Sequence, residues 1–444
     1  MMEVKLFNSE SNKLEVLKPI RENEVSMYVC GPTVYGYVHI GNMRPVITFD
    51  ILRRFLTYIG YKVTYISNVT DVDDKIINTA IQEGISEKEV AKKYEENFFE
   101  CCAKVNASRP TYTPHVTDTM PKIISFIKEL VDKGYAYEKD GDVYFRVTKI
   151  DDYGSISHFK KENLKVGARI EENTKKESPL DFALWKKTEI GIKWDSPWGE
   201  GRPGWHTECV VMINDHYDDA RIDIHGGGFD LKFPHHENEV AQAEALFGHH
   251  IASVWMHNGF INVDNVKMSK SLGNFKTANE VLKEYDGNVI RMIMLSSHYR
   301  APVNFSNEII ASAQKELNKI LSPLKQASIK LQLEGVESKE LNEEQMNRFL
   351  LALADDLNTS NAMSVLYETL KELNVSLRSK NYEVLVKSYN TIRTMIDILG
   401  LDFKNILLTK EDKETFAKWE EARINKDFAS ADVYRNELLS KGLL

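Results

Sequence analysis

The sequence predicts an α/β fold: a parallel-sheet domain that starts near the N-terminus, is split by an irregular insertion, and is followed by helices alone. Three observations predict it. The first seventy residues read strand, helix, strand; positions 115–202 show no sustained period; and beyond Ser306 apolar residues recur every three or four positions.

Ser26 to Cys30 reads as a short buried strand that Gly31-Pro32-Thr33 breaks before a loop carrying His39. Thr48, Ile51, Leu52, Phe55, Leu56 and Ile59 then share a helical face, with Gly60 as the stop signal. Lys62 to Ser67 alternates as a second strand, completing one right-handed, parallel βαβ unit. Asn68 to Gly84 predicts a helix whose first turn holds Asp71, Asp73 and Asp74, carboxylates that suit the positive helix end. In the insertion, Lys139-Asp140-Gly141-Asp142 reads as a hairpin turn. The sheet resumes at Arg221 to His225, ended by Gly226-Gly227-Gly228, and again at Val254 to Val263. Ile310 to Leu333 and Asn342 to Leu399 read as a helical bundle, Leu401 to Lys410 as a connection, and Glu411 to Lys441 as a further helical unit.

Bulk properties narrow the function classes. A chain of 444 residues allows about three domains of ~150 residues. A net charge of −9 argues against nucleic-acid binding by bulk attraction, so any RNA partner needs a local basic face. Met1 to Glu24 contains no signal-peptide core, and no apolar run reaches the ~18 residues of a membrane span, so the cytoplasm is the expected location. Four cysteines are too few and too unevenly placed for a disulfide framework. Cys101 and Cys102 read as core thiols, which leaves Cys30 and Cys209 as free thiols or metal ligands.

Two short motifs carry chemistry. His39-Ile40-Gly41-Asn42 stands where the first strand feeds the first helix, so backbone N–H groups and the helix end can receive a phosphate, and His39 adds a donor. Lys267-Met268-Ser269-Lys270-Ser271 places two ammonium groups three positions apart among small polar residues, able to follow charge that grows on a leaving pyrophosphate. Together they imply attack on an α-phosphate: carboxylate activation to an acyl-adenylate, or nucleotidyl transfer. In Phe233-Pro234-His235-His236-Glu237-Asn238-Glu239, His235 and Glu239 are spaced to share a helix face. With thiols from Cys30 and Cys209 they could complete a zinc site, although such a histidine–glutamate pair alone is an ordinary surface pair.

With these residues in place, the chain resembles the cysteinyl-tRNA synthetases, class I aminoacyl-tRNA synthetases, over essentially its whole length. The likeness runs through Tyr28 to Tyr35, His39 to Pro45, Asn68 to Lys75, Asp181 to Lys186, Gly201 to His206, Gly226 to Glu239, Lys267 to Asn274 and Asp355 to Thr359. The resemblance implies a Rossmann-type catalytic domain split by an insertion, a helical bundle and a small C-terminal anticodon-binding unit. In residues, it implies halves of the catalytic domain at 1–114 and 203–260, a connective insertion at 115–202, a stem-contact segment at 261–309, a bundle at 310–400 and the anticodon unit at 401–444. It implies activation of L-cysteine by ATP with Mg2+, then transfer to the 3′ end of tRNA(Cys) by a monomer. One Zn2+ held by Cys30, Cys209, His235 and Glu239 would take the substrate thiolate as a further ligand, since a plain pocket rejects the isosteric serine poorly.

The same resemblance places ATP at His39, Gly41, Asn42 and Gly227 and along Lys267, Met268, Ser269, Lys270 and Ser271, with His39, Asn42, Lys267 and Lys270 catalytic. It places the amino acid at Cys30, Gly31, Thr70, Trp205, His225 and Asp230. Members usually continue past the position of Gly442 into a short tail; this chain stops at Leu444, which implies weakened anticodon recognition with cysteine activation intact. Two rival readings are a mycothiol-type cysteine:amino-sugar ligase, opposed by Glu421 to Asp432, and an inactive RNA-binding relative, opposed by intact His39, Lys267 and Lys270.

Overall fold

A computed structural model describes residues 2–159, 175–217, 220–263, 266–267 and 276–444. The chain forms two compact units: Met1–Ser306 with Ala354–Asn358, and Asn307–Leu353 with Thr359–Leu444.

The first unit is organised by a four-stranded parallel sheet in the order Ala252–Asn258, Ile222–Gly228, Glu24–Val29, Lys62–Ile66. The N-terminal βαβ unit supplies two strands, and the strand that resumes after the insertion pairs directly with the first, Tyr28 opposite His225. Ile222–Gly228 is buried along almost its whole length, as expected for a parallel sheet covered on both faces. Helix Met43–Tyr58 buries Ile47, Phe49, Ile51, Leu52, Phe55 and Leu56, and Gly60 beyond its end has the φ of +104° that the sequence signal implied.

The glycine triplet continues the strand: Gly226, Gly227 and Gly228 pair with Met256, His257 and Asn258. A Cβ on Gly226 would fall 2.1 Å from the Phe49 ring, so this strand can lie against the helix only without a side chain there. The acidic helix start is also shorter than expected. The helix spans Asp74–Glu83 with Asp73 as N-cap, while Asp71 lies outside it and accepts from the backbone N–H and hydroxyl of Thr117.

Within the insertion, helix Val116–Asp132 leads to an antiparallel sheet ordered Ala136–Lys139, Asp142–Phe145, Phe182–Lys187, Gly201–Pro203. Its first turn has positive φ at both Asp140 (56°) and Gly141 (88°), the geometry the Asp-Gly signal predicts. The predicted strand Val254 to Val263 is two strands, Ala252–Asn258 in the parallel sheet and Ile261–Val263 in a small separate sheet with Val303–Phe305 and Val266–Lys267.

The second unit is helical: Asn307–Glu334, Glu343–Ala354, Thr359–Ser379 and Tyr382–Ile398, then Lys410–Ile424 and Phe428–Ser440. The long periodic run from Asn342 breaks where Asp356 and Leu357 adopt φ of 55° and 51°, and again at Lys380 with φ of 56°. Single residues at positive φ leave the apolar period intact, which is why the pattern alone does not show the breaks. Among the described residues no helix is long and apolar enough to cross a membrane.

Candidate active site and metal-ligand cluster

The carboxyl ends of Glu24–Val29 and Ile222–Gly228 lie side by side, and the candidate residues gather there, as ligand sites of open parallel sheets do. Cys30 follows the first strand directly and donates its backbone N–H to Gly226. Next to it, the Gly31 N–H donates to Asn68 Oδ1, and a Cβ on Gly31 would come within 1.6 Å of the Asn68 carbonyl oxygen. Glycine at this position lets the exits of the first two strands touch. Thr70, on the second exit, donates its hydroxyl to the buried carboxyl of Glu208, which burial pushes well above the ordinary carboxylate range.

Cys209, in the first turn of helix Glu208–His216, faces Cys30 at 3.7 Å between sulfurs. His235 Nε2 lies 3.6 Å from Cys209 Sγ and 3.0 Å from Glu239 Oε1, which is 3.8 Å from Cys30 Sγ. A tetrahedral zinc with bonds of about 2.3 Å to sulfur and about 2.0 Å to nitrogen would set two sulfurs about 3.8 Å apart and sulfur and nitrogen about 3.5 Å apart. The donor set and its spacing therefore fit such an ion. A second set, Cys30, His225, His236 and Glu239, also lies within ligating range. It offers one thiol where the first offers two, so a zinc-like cation favours the first.

The surroundings brace these side chains. His225 Nε2 lies 2.7 Å from Glu239 Oε2, leaving Oε1 for the thiol side, and its ring stacks on Trp255 with centroids 4.4 Å apart. His235 stacks on Trp205 at 4.3 Å, and its Nδ1 meets His206 Nδ1 at 3.0 Å. His236 Nδ1 meets His257 Nε2 at 2.8 Å, and His257 Nδ1 reaches the Ser9 hydroxyl. Such partners fix ring orientation and ligand basicity.

The electrostatics follow from burial. Burial pushes the Cys30 thiol well up, while its hydrogen bond to Cys209 outweighs desolvation there and lowers Cys209 to about 6. Burial opposes charge on Glu239 and His235, but the charges around them win: His225 and His235 hold Glu239 at about 2, and Glu239 and Cys209 raise His235 to about 10. Burial keeps His206 and His257 at about 3 and His236 well below its ordinary value, so these three are neutral rings.

Cys30 opens onto a cavity of about 390 Å³, lined among others by Gly31, His39, Gly41, Asn42 and Trp205, which brings the first sequence motif beside the ligand cluster. His39 caps a single 3-10 turn, Ile40–Asn42, that runs into helix Met43–Tyr58, and Asn42 Oδ1 accepts from the His39 N–H. A Cβ on Gly41 would lie 2.7 Å from His39 Nδ1, so the glycine gives the imidazole its place. The Ile40 N–H donates to the Lys276 carbonyl and the Ala278 N–H to that of Val38, joining this loop to the chain just after the lysine motif. Lys267 pairs through its backbone with Asn262; Met268, Ser269, Lys270 and Ser271 lie outside the described residues.

Other predicted residues fall at different depths. Asp230 lines the cavity, and Trp205 does so with 40% of its surface exposed. His225 is fully buried and meets the ligand cluster through Glu239, and Gly227 packs toward Leu231 and His236. Sequence reasoning missed His206, His236, His257, Ser9 and Glu208. The paired histidines of the Phe233–Glu239 run were a signal for His236, and the run Gly204 to Cys209 was one for His206 and Glu208; Ser9 and His257 are joined to the site only by folding.

Comparisons with known proteins bear on the family and the fold. Residues 16–315 match the family model described as the tRNA synthetases class I (C) catalytic domain, and residues 348–404 match the DALR domain. The chain is 46% identical to the cysteine–tRNA ligase of Acholeplasma laidlawii over 441 residues, covering 99% of this chain and 100% of that one. It is 45% identical to that of Anoxybacillus flavithermus over 455 residues, covering 100% and 97%. Among solved structures, Mycobacterium tuberculosis methionyl-tRNA synthetase in complex with methionyl-adenylate superposes with a TM-score of 0.64 at 13% identity, covering 85% of this chain and 89% of that one. The Agrobacterium radiobacter LeuRS of a ternary complex superposes with a TM-score of 0.62 at 10% identity, covering 87% and 84%. At such identities these two structures establish the fold alone.

Proposed function

The chain belongs to the cysteine–tRNA ligase family of class I aminoacyl-tRNA synthetases, and from that premise we propose that its four-residue ligand cluster selects the amino acid beside the loop that handles ATP. The protein is a ligase that forms aminoacyl-tRNA. The observation that carries the finer reading is the placement of Cys30 and His39 on one cavity, with Cys209, His235 and Glu239 directly behind Cys30.

In this reading Cys30, Cys209, His235 and Glu239 hold one Zn2+. When bound, the ion supplies a Lewis-acidic position that accepts the thiolate of cysteine far better than the hydroxyl of serine. Thr70, Trp205 and Asp230 surround the amino acid, with the Asp230 carboxylate meeting its ammonium group. His39 and the backbone of the 3-10 turn receive the ATP phosphates, Asn42 holds the His39 backbone, and Lys267 and Lys270 neutralise the departing pyrophosphate. The substrate carboxylate attacks the α-phosphorus, the bond to the β-phosphate oxygen breaks, and pyrophosphate leaves with Mg2+. The terminal ribose hydroxyl of tRNA(Cys) then takes the acyl group, releasing AMP. The helices beyond Lys410 serve anticodon recognition, and the chain acts as a monomer in the cytoplasm.

Cysteine-dependent exchange of labelled pyrophosphate into ATP tests this reading. Exchange with cysteine and none with serine is expected; no exchange by zinc-loaded protein would reject it.

A further inference from the structure

A second group of ligating side chains lies outside this site, in the same unit. It draws on four segments: Glu10 in the turn after strand Lys5–Asn8, Asp152 in the insertion, Glu244 on helix Glu237–Phe247, and His250 just before strand Ala252–Asn258. Asp152, Glu244 and His250 each bring one ligand atom within 4.8 Å of the others. The two imidazole nitrogens have separate tasks. Nδ1 meets the Glu10 carboxylate, and Nε2 points to Asp152 Oδ2 at 3.1 Å. An independent observation points the same way: Glu244 Oε2 is buried and has no hydrogen-bond partner among the described residues.

We propose that Asp152, Glu244 and His250 Nε2 form a binding site for an oxygen-preferring divalent cation of the Mn2+ type, with Glu10 holding the His250 ring in ligating orientation. A carboxylate on the second nitrogen is the usual way a ligating histidine is oriented. Two carboxylates with one imidazole and no thiol favour a harder cation than the Cys30 cluster does. The cation would give the Glu244 oxygen the partner it otherwise lacks. With 26% of the His250 side chain and 47% of Asp152 exposed, solvent ions can reach the group.

Charge supports the geometry. Burial and the facing Asp152 carboxylate, with Asp151 adding to it, push Glu244 up to about 7, and only His250 opposes them. Glu10 and Asp152 raise His250 to about 9 against burial. Cation binding competes with protons at carboxylate and imidazole ligands, so it tightens as pH rises.

The test is a Mn2+ titration of full-length protein already loaded with zinc, with free Mn2+ read by electron paramagnetic resonance. One Mn2+ bound per chain beyond the zinc content is expected, tighter at pH 8 than at pH 6. Asp152→Asn with Glu244→Gln should abolish it while zinc content and melting temperature hold. Glu10→Gln should weaken it about 10–100-fold. If the double substitution fails to fold, His250→Gln takes its place. Absence of Mn2+ binding to the unaltered protein, or unchanged affinity in the folded variants, overturns the proposal. Pyrophosphate exchange is not its readout, so it stands or falls separately from the catalytic reading.

Discussion

The ligand cluster around Glu239 and the loop around His39 meet at one cavity, which Cys30 and His39 both line, but they are built from different materials. In the cluster, Cys209, His235 and Glu239 are buried side chains, and the His235 ring and the Glu239 carboxylate are oriented by stacking and a hydrogen bond. Around His39 the positions are set by backbone: the 3-10 turn after His39, and the hydrogen bonds from Ile40 to Lys276 and from Ala278 to Val38. A side-chain site of this kind recognises one atom type at a fixed point. A backbone site recognises charge, and in the proposed function it leaves the lysine pair to meet what grows during the reaction.

If the two sides are separable in this way, substitutions should split metal content from catalysis. The largest effect is expected for Cys209→Ser, which removes one of two thiols: bound zinc, measured by atomic emission, should fall to background together with cysteine-dependent exchange. Full exchange by a metal-free variant would break the comparison. Lys270→Ala should slow exchange by about 10²–10³-fold, as loss of a group that stabilises transition-state charge does, with zinc content unchanged. Loss of zinc in that variant would show that the sides are not independent. His225→Gln should weaken zinc by about 10–100-fold in a chelator competition, because Glu239 loses the partner that frees Oε1.

A smaller effect concerns the floor that both sides share. Gly226→Ala sets a Cβ against the Phe49 ring and should cost about 1–3 kcal/mol by thermal unfolding, partly restored by Phe49→Leu. An unchanged melting temperature would show that the strand can shift.

Legibility in the sequence followed the range of the interactions. The βαβ unit, the Asp-Gly hairpin and the helical second unit rest on local period and turn chemistry, and they are read directly. The breaks at Asp356 and Lys380 depend on single residues at positive φ, which the apolar period does not register. The glycine triplet was misread as a terminator because its reason is Phe49, a residue brought there by the helix. In the candidate site, the spacing of His235 and Glu239 was visible, though His235 precedes helix Glu237–Phe247 and is not part of it. The bracing by His257 and Ser9 was not visible, because those residues share no sequence neighbourhood with the ligands, and His206, three residues before Cys209, shows its role only through its contact with His235.

The most direct measurement is zinc X-ray absorption on the purified protein, without and with L-cysteine. Two sulfur ligands are expected, from Cys30 and Cys209, rising to three when cysteine is added and staying at two with serine. A sulfur count that does not change on adding cysteine, at concentrations that saturate pyrophosphate exchange, would contradict this expectation.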